Sequence, residues 1–195
     1  MRNLLMALLA FVVIALAQGV ARADTVTYST TGVFNNGLSS ITFGSGGDTL
    51  TLTFAGQAPA TVDANPSTFA SFGRITTSTT GSGATIAPGS TLTIDITQTV
   101  PSAGSGSVAG SLTGTITQDS SSGQILFTVT STTINGVVYD VVNNPLALVP
   151  PNTNGGNTSV QGQITTVPEP ATMILLGTGL AGVAAGARKR RKGRV

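Results

Sequence analysis

Paired carboxylates are the one catalytic device that the middle of this sequence could supply, drawn from five dispersed aspartates: Asp48, Asp63, Asp95, Asp119 and Asp140. Two carboxyl groups flanking a glycosidic bond can act as general acid and as base or nucleophile, which is the chemistry of glycoside hydrolysis. Asp95 and Asp140 each fall in an alternating strand pattern, where such residues ordinarily face solvent. The other groups narrow the choice. Between Asp24 and Pro170 the only base is Arg74, set against seven acids, Asp24 and Glu169 included, for a net charge of −6. The chain has no His and no Cys, and its lysines all follow Ala187. A Ser-His-Asp triad, a Ser-Lys dyad, a Schiff-base lysine, a thiolate nucleophile and a disulfide are therefore all excluded from this region. The reading is a non-enzymatic one, with no cofactor and no metal site.

Weaker signals can be assigned to turns and core. Asp48 follows Gly44-Ser45-Gly46-Gly47, a faint echo of a calcium-binding loop that occurs once and misses the repeat spacing, so it reads as a turn. Gly104-x-Gly106 also reads as a turn, since no helix pattern follows it. Aromatic rings that could stack on sugars are few. Phe54 and Phe127 are in phase with core positions, whereas Phe69 and Phe72 read as an exposed pair in a loop before Arg74. They could contact a ligand or plug one end of the fold. Asn157-Thr158-Ser159 matches a glycosylation acceptor on a loop. The formal charge of +2 for the whole chain comes from its two ends. A body of net negative charge offers no footprint for nucleic acid.

The elements that would position these groups are strands. Thr49-Leu50-Thr51-Leu52-Thr53-Phe54 alternates apolar and polar residues, as do Thr91 to Thr97 and Leu112 to Thr117. Period-two alternation with β-branched Thr on the wet face is the mark of half-buried strands. Gln124 to Ile134 and Val137 to Val142 flank Asn135-Gly136, whose residue types suit the two positive φ angles of a type I′ hairpin turn. Asp119 to Gly123 would lead into that hairpin. Val26 to Thr31, Ile75 to Thr79 and Ser159 to Thr166 add further strands, and Asn143 to Asn157 reads as a long loop. The expected fold is all-β, an antiparallel β-sandwich or jelly-roll-like domain over residues 24–166. A parallel β-solenoid is the second choice, without a clean repeat to support it.

Both ends look like address labels. Arg2, an apolar run from Leu4 to Ala17 and a small-x-small site at Ala21-Arg22-Ala23 before Asp24 have the anatomy of a cleavable signal peptide, residues 1–23. At the other end, Ala171 to Ala187 is 17 residues without a charge, about 25 Å as a helix and at the lower limit of a bilayer span. Arg188, Lys189, Arg190, Arg191, Lys192 and Arg194 follow it. Bases stay on the cytoplasmic side of a span, so this tail orients residues 24–170 outside. Pro168-Glu169-Pro170 precedes the apolar run. The two prolines hold that strip extended, and Pro170 suits the first turn of a helix.

The order V-P-E-P-A-T, apolar segment with Gly, basic cluster resembles the PEP-CTERM sorting signal over residues 167–195. The resemblance implies that Pro168, Glu169 and Pro170 are recognised by an exosortase. This enzyme would remove the transmembrane tail and release or re-anchor the exported body. The N-terminal signal adds a signal peptidase as a second processing partner, and the two labels together give an inner-membrane precursor. The destination the resemblance implies is the cell surface or extracellular matrix of a Gram-negative bacterium making exopolysaccharide and biofilm. The resulting expectation is a structural or adhesive surface protein, with a secreted glycan-binding or glycan-active module as the alternative.

Overall fold

The computed structural model describes residues 25–166, which form fourteen strands and one turn of 3-10 helix. In chain order these are β1 (Thr25–Phe34), β2 (Ser40–Ser45), β3 (Asp48–Ala55), β4 (Ala60–Asp63), β5 (Ser67–Thr80), β6 (Ala84–Thr85) and β7 (Thr91–Val100). There follow β8 (Gly104–Thr113), β9 (Thr115–Ile116), β10 (Gln124–Val129), β11 (Ser131–Ile134), β12 (Val137–Val141), β13 (Leu146–Ala147) and β14 (Asn157–Thr166). One six-stranded sheet has the order β13-β10-β8-β7-β1-β4, the other the order β11-β12-β14-β5-β3-β2, and β6 pairs with β9. Every ladder is antiparallel. That is the two-sheet arrangement expected, and it rules out the parallel solenoid.

Alternation does the positioning. In β3, Leu50, Leu52 and Phe54 are buried while the threonines between them face out. The outward hydroxyls bond across strands, Thr42 to Thr51 at 2.9 Å and Thr49 to Thr80 at 2.7 Å. Such cross-strand pairs stabilise register as well as wetting the face. Asn135 and Gly136 have φ of 47° and 81°, and Ile134 faces Val137, so the two-residue hairpin forms as expected.

Several elements differ from the sequence reading. Gln124–Ile134 is not one strand, because β10 and β11 lie in different sheets and the chain crosses between them at Thr130. The Leu112–Thr117 pattern breaks at Gly114, whose φ of 103° turns the chain from β8 to β9. Gly104 and Gly106 lie within β8 and not in a turn. They are small for a packing reason: a Cβ at Gly104 would stand 2.6 Å from the Ile134 side chain, and one at Gly106 would overlap Thr132. β11 thus comes down onto β8 where no side chain intervenes. The stretch 143–157 is not all loop, since it holds β13 and the 3-10 turn Asn154–Gly156.

One core fills the space between the sheets. At its centre Tyr28 from β1 meets Phe72 from β5 and Tyr139 from β12, with ring centroids 5.9–6.2 Å apart. The phenol of Tyr28 donates to the Ser71 carbonyl at 2.8 Å, and that of Tyr139 to Gln98 Oε1 at 2.8 Å. Gln98, fully buried, donates in turn to the Ser102 carbonyl at 2.8 Å. No buried side-chain nitrogen or oxygen among the described residues is left without a partner, so the apolar interior carries no desolvation penalty for orphaned groups.

These two tyrosines are the only ones in the chain, which makes alkaline titration diagnostic. Burial pushes the Tyr28 phenol up to about 12 from 10.0. Tyr139 is raised too, by burial first and then by repulsion from Tyr28. A folded pKa above the unfolded one means the folded state holds its protons longer. The associated stability is full below about pH 10 and is lost as pH climbs from there toward 12 and beyond. Phenolate absorbance is expected to stay near zero at pH ~10, where free tyrosine is half ionised, and then to rise together with loss of β-sheet circular dichroism. Half-ionised tyrosine at that pH in a protein with intact sheet would contradict the packing.

Candidate functional site

The aspartates are separated by the fold. Asp95 is exposed on β7, facing Thr31 and Ser107 across its ladders. Asp140 is on the outer face of β12, facing Ser131 and Gln163. They lie on outer faces of opposite sheets with the core between them, so they cannot flank one bond. Asp48 accepts the Ser82 N–H at 2.6 Å and closes the Ser45–Asp48 hairpin, the turn expected there. Asp119 accepts from the Asn152 amide. Asp63 is exposed at the end of β4. No cluster of three metal-ligating side chains occurs among the described residues.

Phe69 and Phe72 are not a pair in a loop. Both lie on β5, and a spacing of three puts them on opposite faces of a strand. Phe69 is 70% exposed, whereas Phe72 is fully buried in the aromatic cluster and cannot meet a ligand. Beyond Phe72 the phase of β5 changes. Val160 of β14 faces Gly73 while Gln161 faces Ser71, so Phe72 is an inserted residue of a β-bulge. Gly73 sits at φ 122°, and a Cβ there would come within 2.6 Å of the Ala55 carbonyl. Phe72 and Gly73 both point inward, and Arg74 therefore points out. Simple alternation would have buried it.

The outcome is a row of Phe69, Ser71 and Arg74 on the outer face of β5, beside Ser159 and Gln161 of β14. Two open depressions run along it. One of about 300 Å3 lies between Arg74, Ser159 and the Gly56–Ala58 segment; the other, about 290 Å3, lies between Phe69, Ser71 and Gln161. They share Ser71 and Ser159. The sequence reading missed this row, since only the consecutive Phe72-Gly73 after an outward Ser71 hints at a bulge.

The acceptor-like Asn157-Thr158-Ser159 is occupied locally and opens β14 instead of a loop. The Asn157 amide nitrogen donates to the Asn154 and Gly155 carbonyls, and buried Thr158 accepts from the Val149 N–H. Its last residue is also tied down. Thr166 donates its N–H to the Pro66 carbonyl at 3.1 Å and its hydroxyl to Ala64 at 2.9 Å. Thr25, the first described residue, faces Asp63. The two ends of the body therefore flank the same connection, Asp63 to Pro66. β14 itself lies between β12 and β5, bonded on both sides.

The segment that starts where β14 stops decides the sorting question. Residues 166–191 match the family described as the PEP-CTERM protein-sorting motif. The chain carries a PEP-CTERM signal. The match covers a terminal segment only, and no curated protein and no solved structure matches the chain. The PEP-CTERM motif implies exosortase-dependent sorting of an exported protein that is at first anchored in the membrane. Its Pro168, Glu169 and Pro170, the apolar stretch 171–187 and the bases Arg188 to Arg194 lie outside the described residues, as do the expected signal peptide 1–23 and the residues of its expected cleavage site, Ala21, Ala23 and Asp24. Among the described residues no helix is long and apolar enough to cross a membrane.

Proposed function

We propose that this PEP-CTERM protein is a non-enzymatic structural or adhesive component of the cell surface or extracellular matrix, associated with exopolysaccharide. The observation that carries the reading is the sorting motif attached directly to a β body whose chemistry is bare. The export label, the body and the tail form one series. A secretory signal delivers residues 24–166 outside, the basic cluster keeps the tail inside, and the exosortase separates the two. A domain built of outward Thr and Ser ladders over a closed apolar core is stable, wet and inert, which suits a matrix component. Separation of Asp95 from Asp140 argues in the same direction, against a two-carboxylate hydrolase. A glycan-binding role has a specific observation in its favour, the exposed Phe69 beside Arg74, and is compatible with adhesion.

Intact-mass measurement of the protein recovered from the cell surface or medium tests the processing. The expected mature species begins at Asp24 and lacks Arg188 to Val195. A surface species still carrying those residues would contradict tail removal. Adhesion is tested by the tendency of the exported protein to co-sediment with native matrix; free dispersion in the medium would count against the structural role.

A further inference from the structure

We propose that the exosortase engages the folded body together with the tail, docking on the pole of the sandwich where β14 ends and reading that pole as part of its substrate. The proposal rests on exosortase processing of the PEP-CTERM motif and names the surface of this chain that the enzyme meets.

Distance forces the contact. The motif match begins at Thr166, which is also the last residue of β14, so no linker separates cargo from signal. A fully extended chain gains at most about 3.6 Å per residue. Pro168 therefore lies within about 7 Å of Thr166 and Pro170 within about 14 Å, whatever path the chain takes. One helix of an enclosing wall is about 10–12 Å across with its side chains. An enzyme that surrounds Pro168 has walls thicker than the gap, and those walls meet the body.

The body does not give way at this point. Thr166 is 6% exposed and faces Val137, while its N–H and hydroxyl donate to the Pro66 and Ala64 carbonyls. Ala64 is itself fully buried, so peeling the strand end would strand an unpaired carbonyl in the interior. Three exposed connections ring the exit: Asn65–Pro66, Pro101–Ala103 and the Asn135–Gly136 hairpin. They are tied to one another. The Asn135 amide donates to the Ala103 carbonyl at 2.9 Å, Gln98 holds the Ser102 carbonyl from within, and Thr166 joins the hairpin strand to the Pro66 connection. Val100, 41% exposed beside Pro101, offers an apolar contact, and among the described residues of this platform only Asp63 is charged. A surface already fixed in shape costs little conformational entropy to bind. The pole is thus read by shape and apolar contact, alongside the carboxylate of Glu169.

The test follows the full-length protein by pulse–chase in its native host, with intact mass reading loss of the tail and, separately, loss of residues 1–23. A flexible Gly-Ser linker of about twelve residues between Thr166 and Val167, adding about 20 Å, moves the motif off the platform and alters neither. It is expected to slow tail removal about ten-fold, the scale of one lost interface anchor. Val100→Gln is expected to slow it about five-fold in the parent and to have no effect once the linker is present. Leu126→Gln serves as control. Leu126 is exposed on β10, and its partner Ser111 also faces Thr91, at the far end of β7 from Val100. That variant should match the parent, and all forms should lose residues 1–23 at one rate. Tail removal at the parent rate or faster with the linker would make the pole a bystander or an obstacle and overturn the proposal. So would equal rates for Val100→Gln and Leu126→Gln. A parent that keeps its tail would overturn the processing reading and this docking with it, whereas a processed parent with indifferent variants overturns the docking alone.

Discussion

Glu169→Ala is expected to leave the whole population of the protein in the inner membrane with its tail attached, against a processed form for the parent. The basis is electrostatic isolation. Glu169 is the only charged residue between Asp140 and Arg188, so within the recognition strip proposed for the exosortase it is the sole group that can offer an anion. Proline fixes its own φ and biases the residue before it toward extended geometry, and prolines flank Glu169 on both sides. An enzyme reading this strip has shape from the prolines and charge from one carboxylate, and Ala removes the charge while keeping the shape. Folding of the body is not at stake, because the last residue described in a ladder is Thr166. Thermal unfolding of the retained species should therefore match that of the parent. Fractionation with intact-mass analysis reads the outcome. Normal tail loss in the variant would show that the carboxylate is dispensable.

Phe72→Ala carries the largest expected loss of stability, about 3–5 kcal/mol. The ring is fully buried and contacts both tyrosines, whose hydroxyls hold Ser71 and, through Gln98, the β7–β8 connection. Removing it opens a cavity where both sheets meet. Phe69→Ala, three residues away, should change stability by less than about 0.5 kcal/mol. Denaturant unfolding of the two variants gives a direct contrast between the faces of one strand. Gly162 sharpens it, because a Cβ at that position would overlap the Phe72 ring. Gly162→Ala should destabilise the parent and be nearly neutral beside Phe72→Ala, a coupling that independent sites would not show. Comparable losses for Phe69→Ala and Phe72→Ala would contradict the bulge.

Where the sequence was transparent, the cause was local. β3 and β7 alternate buried Leu or Ile with outward polar residues, mostly Thr, Asn135-Gly136 has residue types that few other turns would use, and Phe54 and Phe127 fall in phase with their neighbours. The sorting tail was legible for the same reason, since its order of Pro-Glu-Pro, oil and base is contiguous. Features decided by distant partners were not. β4 has no pattern of its own and exists because β1 offers it an edge. The step from β10 to β11 occurs within one apolar run, and which sheet receives each half depends on β8 and β12. Gly104 and Gly106 looked like turn residues until β11 was seen to lie against them. The Phe69–Arg74 row is the clearest case, because a bulge exists only relative to the strand it pairs with.

The placement of β14 bears on how such a body withstands pulling. Whatever grips the polypeptide beyond Thr166 draws on a strand bonded to β12 along one flank and to β5 along the other. Tension along that strand loads both ladders in shear, so many bonds must yield together and not one after another. A terminal strand at a sheet margin would peel. Set in the interior of the sheet, this one is a mechanical root that yields only when both ladders yield together.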